Sequence, residues 1–389
     1  MDTHLISRQR IAEVGRVFLR FGLTAFGGPA AHISMFHDEF VKRRKWLDEQ
    51  HFLDLLGATN LIPGPNSTEM AIHLGYLRAG WKGLILAGTS FIAPAMLIVT
   101  VIAYFYVKYG STPQAEWILY GVEPVVIAII LQALVSLSKK AITGYKTLLV
   151  AVLAIIIYFL KFSPLLALII GGALMLGFSQ ISKIRDFVSI MLLPASSLLV
   201  TQTSAAQPYS LPVLFLTFLK IGSVLYGSGY VLLAFLNADF VRDLGWLTNQ
   251  QLLDAVAIGQ FTPGPVFTTA TFIGYILGGI PGALAATIGI FLPSFVFVAI
   301  SNPIIPKLRN SPVAGHILDG INAASLGLMA AVLVQLARTS ISDTLTVLVA
   351  VISAILLFKF RVNTTWLILG GILIGLLSGI IPYLLATLR

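Results

Sequence analysis

The sequence predicts an all-α polytopic integral membrane protein of about ten transmembrane helices, with broken, re-entrant helices at two Pro-Gly-Pro motifs and two pseudo-symmetric, inverted repeats. Three observations predict this fold: an apolar composition, charge-poor stretches long enough to cross a bilayer, and a chain that repeats itself. Of the 389 residues, 57% are hydrophobic and 11% charged, with mean hydropathy +0.92, against roughly 25% charged in an average soluble domain. Stretches 83–107, 121–137, 282–300, 322–337 and 366–381 carry almost no charge, over lengths close to the roughly 20 residues a spanning helix needs. A soluble protein would have to hide all of them behind 41 charged residues.

There is no cysteine, which excludes disulfides, thiolate metal sites and thiol catalysis. Arg8, Arg10, Glu13, Arg16 and Arg20 interrupt the N-terminal apolar residues, so this stretch reads as structure and not as a signal peptide. The net charge of +9 sits in short loops between apolar stretches, the distribution of the positive-inside rule and not of nucleic-acid binding.

The repeat runs at an offset of 200 residues. Phe18-Leu19-Arg20 matches Phe218-Leu219-Lys220, Phe40-Val41-Lys42 matches Phe240-Val241-Arg242, Leu53-Asp54 matches Leu253-Asp254, and Pro63-Gly64-Pro65 matches Pro263-Gly264-Pro265. The offset then becomes 199, pairing Gly75-Tyr76 with Gly274-Tyr275 and Gly171-Gly172 with Gly370-Gly371. The repeats are assigned to residues 1–195 and 211–389, joined by a Ser/Gln/Pro-bearing linker at 196–210.

In each repeat a leading helix is followed by an amphipathic connection, in which Asp38, Glu39 and the Lys42–Lys45 run read as a solvated interfacial helix. Next comes a segment broken at Pro-Gly-Pro. Residues 53–62 and 66–77 are each too short to span alone, and proline removes a backbone donor and disfavours helix in the residue before it. A re-entrant pair of half-helices follows, then four apolar segments. Five crossings per repeat would invert the second copy. With Lys42–Lys45 in the cytoplasm, this tracing puts fifteen Lys/Arg inside and seven outside, the outer group including Arg8 and Arg10. A leading helix that also re-enters at its glycine-rich end would move those two inside.

Three motifs carry a resemblance: Phe21-Gly22-Leu23-Thr24-Ala25-Phe26-Gly27-Gly28-Pro29-Ala30-Ala31-His32, Leu61-Ile62-Pro63-Gly64-Pro65-Asn66-Ser67-Thr68, and residues 259–275 from Gly259-Gln260-Phe261 to Gly274-Tyr275. In this order, and over nearly the whole chain, the sequence resembles the chromate ion transporter family in its long, two-repeat form. The resemblance implies export of chromate across the inner membrane and resistance to it. Asn60 stands where Gln260 stands in the second copy.

An oxyanion leaving water needs donors and positive charge. Asn66, Ser67 and Thr68, and Thr268 and Thr269, open the half-helices after Pro63-Gly64-Pro65 and Pro263-Gly264-Pro265, where free amides and the helix dipole favour an anion; capping is the competing role. Arg20 and Lys220 are equivalent cations within apolar helices, with snorkelling or pairing with an internal acid as the alternative. Gly27 and Gly28 break the leading helix and allow close backbone approach, as Gly227-Ser228-Gly229 would in the second copy; Asn60 and Gln260 precede the breaks. Glu69, Glu123 and His32 are candidates for coupling, with Glu69 or Glu123 also placed to hold Arg20; His73 is a further histidine for which a structural role is the ready reading.

No His/Asp/Glu cluster at metal spacing, nucleophile elbow or nucleotide-binding loop is present, so an enzyme, a metal and a cofactor are not expected. The partners expected are chromate or a related tetrahedral oxyanion and the lipid bilayer, a homodimer being compatible with both. A carrier or channel for sulfate, molybdate or another anion is the alternative.

Overall fold

The computed structural model describes residues 3–110, 112–179, 208–226, 231–301 and 312–387. Every regular element among them is helical. The N-terminal copy comprises α1 (Thr3–Thr24), α2 (Gly28–His37, continued by a π-turn over Asp38–Arg43), α3 (Glu49–Thr59), α4 (Asn66–Tyr109), α5 (Pro113–Ala141), α6 (Tyr145–Phe159) and α7 (Pro164–Ser179). The C-terminal copy comprises α8 (Leu211–Val224), α9 (Leu232–Leu236, continued by a π-turn over Asn237–Asp243), α10 (Asn249–Phe261), α11 (Thr269–Ser301, entered through a 3-10 turn Val266–Thr268), α12 (Pro312–Ser340), α13 (Thr344–Phe358) and α14 (Thr364–Thr387). The predicted linker lies outside the described residues apart from 208–210, as does Gly227-Ser228-Gly229.

Two hairpins begin each copy. The chain reverses after α1 at Gly27 (φ +101°) and Gly28 (φ +76°), so that α2 runs back along α1. Phe18 stacks on Phe40 at 5.3 Å and Phe21 meets Phe36 edge-on at 5.0 Å. Arg44 reaches Glu13 at 2.6 Å. From Glu13 to Ala25 is only about 18 Å of helix, roughly half a bilayer core. The leading helix therefore re-enters, and Arg8 and Arg10 lie on the face that carries Lys42–Lys45, not opposite to it.

The second hairpin is the one the Pro-Gly-Pro motif predicts. α3 is capped by Asp48, which accepts from the His51 amide at 2.8 Å. Beyond Pro65, α4 runs as a half-helix to Arg78, breaks at Ala79–Gly80 (Gly80 φ +59°), and doubles back as a longer arm. Gly75 and Gly83 face each other so closely that a Cβ on either would strike the other's carbonyl. Gly274 and Gly282 repeat this contact around the break at Gly278–Gly279 in α11. Small residues are what allow two antiparallel backbones so near.

Contacts also fix the relative orientation of the copies. Arg78 donates to Glu13 at 2.7 Å, placing both hairpins of the first copy on one face. The long arm of α4, then α5 and α6, carry the chain across three times, so the α6–α7 loop lies on the second face. There the Phe162 carbonyl accepts from Arg242 at 3.3 Å, and Arg242 is the repeat mate of Lys42. The hairpins of the second copy thus enter from the opposite face: the repeats are inverted, although with α1 re-entering the described helices of the first copy cross four times and not the expected five. Consistently, Tyr120 near the start of α5 donates to Asp343 before α13 at 2.7 Å; that hydroxyl and the Thr346 amide hold the Asp343 carboxyl below its ordinary range.

The copies interlock. α5 packs against α13 and α14, while α12 packs against α6 and α7. Gly121 abuts Gly371 and Gly375, and Gly320 abuts Gly171 and Gly172, two crossings related by the repeat. Among the described residues four helices are long and apolar enough to span a membrane by length and composition: 66–109, 113–141, 266–300 and 315–340, with further apolar helices of 14 to 17 residues between and after them.

Candidate anion site at the helix crossings

Each Pro-Gly-Pro loop is seated on the broken helix end of the other copy. The Gly64 amide donates to the Leu225 carbonyl at 2.7 Å, and the Gly264 amide donates to the Ala25 carbonyl at 2.9 Å. Both glycines have positive φ, +136° and +88°, and neither has room for a side chain: a Cβ on Gly264 would lie 2.8 Å from Ala95 Cβ and 3.3 Å from the Gly22 carbonyl. Gly28 stands opposite Val266 across the same crossing. These reciprocal bonds use the only amide that each Pro-Gly-Pro owns, so Pro63, Gly64, Pro65, Pro263, Gly264 and Pro265 shape the crossings and leave no amide of their own for an anion.

The donors that remain belong to the half-helices. In the first, the intrahelical bonds start with the Thr68 and Glu69 amides donating to the Pro65 carbonyl at 2.7 and 3.1 Å, which leaves the Asn66 and Ser67 amides ahead of them at the positive end of the dipole. Asn66 donates to Asn60 at 2.6 Å, and Asn60 to the Leu56 carbonyl at 2.9 Å; the two asparagines bridge the motif. Ser67 is bonded to His32 Nδ1 at 3.2 Å, while His32 Nε2 lies 3.1 Å from the Ala25 carbonyl. Since a carbonyl only accepts, Nε2 carries the hydrogen, and in the neutral ring Ser67 donates to Nδ1. His32 thus ties α2, the half-helix and the crossing into one unit. The Thr68 hydroxyl is buried with no partner.

The second crossing is more self-contained. Thr268 and Thr269 donate their hydroxyls to the Pro265 and Val266 carbonyls at 2.8 and 2.9 Å, which spends those hydrogens within the turn. Gln260 is buried and engaged.

Arg20 and Lys220 are not brought to the crossings. Arg20 pairs with Glu39 at 2.9 Å and Lys220 with Asp239 at 2.7 Å, in both copies on the π-turn of the returning helix. Glu39 is 5% and Asp239 6% exposed, so these two acids are interior counter-ions and not solvated ones, whereas Asp38 stays exposed and pairs with exposed Lys42. Neither Glu69 nor Glu123 holds Arg20. Glu123 instead accepts from Gln250, beside Asp254, which accepts from Tyr106 at 2.7 Å. Sequence reasoning missed Asp239, Asp254, Gln250 and Ser294; the acid recurring at 39 and 239 was the signal available for the first.

A mostly apolar cavity of about 230 Å³ opens beside the first crossing, lined by Pro63, Leu168, Tyr226 and Ile317 among others. Among the described residues no group of three or more His, Asp or Glu is placed to hold a metal.

Inverted copies whose broken helices cross near mid-height, with small-residue contacts and half-buried ion pairs, define a multi-pass transporter of the discontinuous-helix class. The chromate transporter family profile matches residues 12–177 and 213–376, one match per copy, and the chain belongs to that family. It is 30% identical over 386 residues to the chromate transport protein of Cupriavidus metallidurans, covering 97% of this chain and 95% of that one. It is 31% identical over 365 residues to the probable chromate transport protein of Synechococcus elongatus, covering 92% of each. The Pseudomonas aeruginosa chromate transport protein is 30% identical over 376 residues, 92% of this chain and 90% of that one. No solved structure matches the chain.

Proposed function

We propose that this chain is a secondary transporter that exports chromate from the cytoplasm across the inner membrane and so confers resistance to it. The observation that carries this reading is the reciprocal seating of the two Pro-Gly-Pro loops. It supports a single anion position between the copies, with two half-helix N-termini aimed at it. Asn66, Ser67 and Thr68 face it from one side and Thr268, Thr269 and Gln260 from the other. Gly27, Gly28, Asn60 and the two Pro-Gly-Pro motifs hold the backbones in place. Arg20 and Lys220, neutralised by their acids, act as anchors of the hairpins. The two repeats, 1–195 and 211–389, move about the crossings, joined through 196–210; a homodimer would leave this arrangement intact.

Direction follows from charge. Arg8, Arg10, Lys42, Arg43, Arg44, Lys45, Arg78, Lys82, Lys139, Lys140, Lys146, Lys359 and Arg361 lie on the first face, against Lys108, Lys161, Arg242 and Arg338 on the second, which supports a cytoplasmic first face. An inside-negative potential then favours outward movement of negative charge by roughly 2.3 kcal/mol per charge per 100 mV.

The test is uptake of labelled chromate into inside-out vesicles, with excess sulfate or molybdate as competitor and Thr68→Val as the variant. Uptake above empty vesicles that withstands competition is expected. Removing one hydroxyl donor to an anion should cost about 1.5–3 kcal/mol, roughly 10- to 100-fold in affinity. No uptake above empty vesicles would refute the chromate reading.

A further inference from the structure

At the first crossing the Thr68 hydroxyl has no hydrogen-bond partner, nor do the ring nitrogens of His73 one turn along the half-helix, and the Glu69 carboxyl has only the Ser294 hydroxyl close enough to bond to it. None is more than 1% exposed. Glu69 and His73 stand four residues apart on one face of the half-helix. The Glu69 carboxyl lies directly against Gly64, where a Cβ would collide with it, and Ser294 flanks the same spot. Buried polar groups are nearly always satisfied, so a buried carboxyl served by a single hydroxyl, beside two side chains with no partner, points to a ligand that comes and goes.

The surroundings exclude a counter-ion. On the elements packed around Glu69 the titratable or charged groups are His73 on its own helix, His32 on α2, which is bonded to Ser67, and Tyr226 at the end of α8, close enough to interact electrostatically with Glu69. On α1, Glu13 is paired with Arg78 and Arg44 and Arg20 with Glu39, while Arg8, Arg10 and Arg16 are exposed; His37 of α2 is bonded to Glu49 of α3, where Asp54 is bonded to Gln50 and His51 is exposed; on α10, Asp254 is bonded to Tyr106; α11 offers Tyr275 alone. No lysine or arginine among the described residues pairs with Glu69. The equivalent stretch of the second copy, Thr268-Thr269-Ala270-Thr271-Phe272, has no ionisable side chain. There is one such site per chain.

An anion held by the Asn66 and Ser67 amides would sit within a turn of this carboxyl. Two negative charges so close in a poorly screened interior repel strongly. A charged Glu69 and a bound dianion therefore exclude each other, while a neutral Glu69 and the anion are compatible. We propose that Glu69, assisted by His73, is a proton-binding site, and that one proton from solvent is bound there whenever the anion occupies the crossing. The inference rests on the oxyanion reading above. No bond to the anion forms or breaks: at an alkaline pH that has ionised the empty site, the proton adds to the carboxylate as the anion enters and leaves as it departs.

The experiment is calorimetric titration of the purified protein with chromate, in alkaline buffers of different ionisation enthalpy, where the free anion carries no proton. Wild type should take up close to one proton per chromate, and its affinity should fall about tenfold per pH unit on the alkaline side. Glu69→Gln, which imitates the protonated acid, should bind chromate with no proton uptake and a flat pH profile, and Glu69→Asp should restore the uptake. Proton uptake that survives in Glu69→Gln, or binding by wild type with no uptake, would overturn the proposal, and the second outcome needs no variant to fold. Failure of wild type to bind chromate at all would overturn the substrate reading beneath it instead.

Discussion

Replacing Lys220 by methionine separates two roles for the cation. Its partner Asp239 is 6% exposed, accepts at Oδ1 from Lys220 at 2.7 Å, and has no partner at Oδ2. Removing one member of a buried pair typically costs about 3–5 kcal/mol. The Lys220 side chain is 47% exposed, so water reaches its end of the bridge, and about 1–3 kcal/mol is the discounted expectation. The equivalent Arg20→Met should cost less, about 0–1 kcal/mol, because Glu39 keeps Arg44 at 2.7 Å and Arg43 at 3.7 Å.

At about 2 °C per kcal/mol for a chain of this size, thermal unfolding in detergent should drop by roughly 2–6 °C for Lys220→Met and by no more than about 2 °C for Arg20→Met. Adding Asp239→Asn to Lys220→Met should restore most of the loss, since the uncompensated carboxylate is gone. If the double variant regains stability and transport together, Lys220 anchors the hairpin. A double variant that is stable yet transports nothing would refute the anchoring argument and return Lys220 to the anion.

Two further predictions concern the crossing and the faces. Gly264→Ala forces a Cβ into a position with φ +88° and a neighbour at 2.8 Å; left-handed strain of about 1–2 kcal/mol plus overpacking of about 1–3 kcal/mol should lower thermal stability markedly, and wild-type behaviour would contradict the seating of this loop. Because the chain has no cysteine, single substitutions Arg8→Cys, Lys82→Cys and Lys108→Cys report sidedness directly: an impermeant maleimide should label only Lys108→Cys in intact cells, and labelling of Arg8→Cys beside it would rule out the re-entrant α1–α2 hairpin.

Much of this architecture is legible in the sequence because it is written twice. Chance does not align Pro63-Gly64-Pro65 with Pro263-Gly264-Pro265 within matching flanks, and proline chemistry then forces the half-helices. What escapes is whatever depends on how the copies meet. The 22 residues of α1 are long enough for a span, and Gly27-Gly28-Pro29 signals a break without saying that the chain turns back. The cations at 20 and 220 stand out within apolar helices, but Glu39 sits in a run with Asp38 and Lys42–Lys45 that looks solvated; only the fold-back of α2 buries it. The bonds from Gly64 to Leu225 and from Gly264 to Ala25 are between backbones and leave no trace in residue type beyond the glycine itself.

The two copies also part company where their sequences agree. Leu53 is 48% exposed and its repeat mate Leu253 is fully buried. Asp54 is bonded to Gln50 on an exposed turn, whereas Asp254 is enclosed and bonded to Tyr106. Identical residues at identical repeat positions cannot encode opposite burial, so the difference comes from what packs outside them. α10 is covered by α5, α12 and α14, whereas α3 has its main contact with α4. The buried acid without a cationic partner, Glu69, belongs to the less covered hairpin and the satisfied threonines, Thr268 and Thr269, to the more covered one. Inversion gives each copy the same plan and a different outer environment, so the asymmetry between the two hairpins arises from packing as well as from substitution.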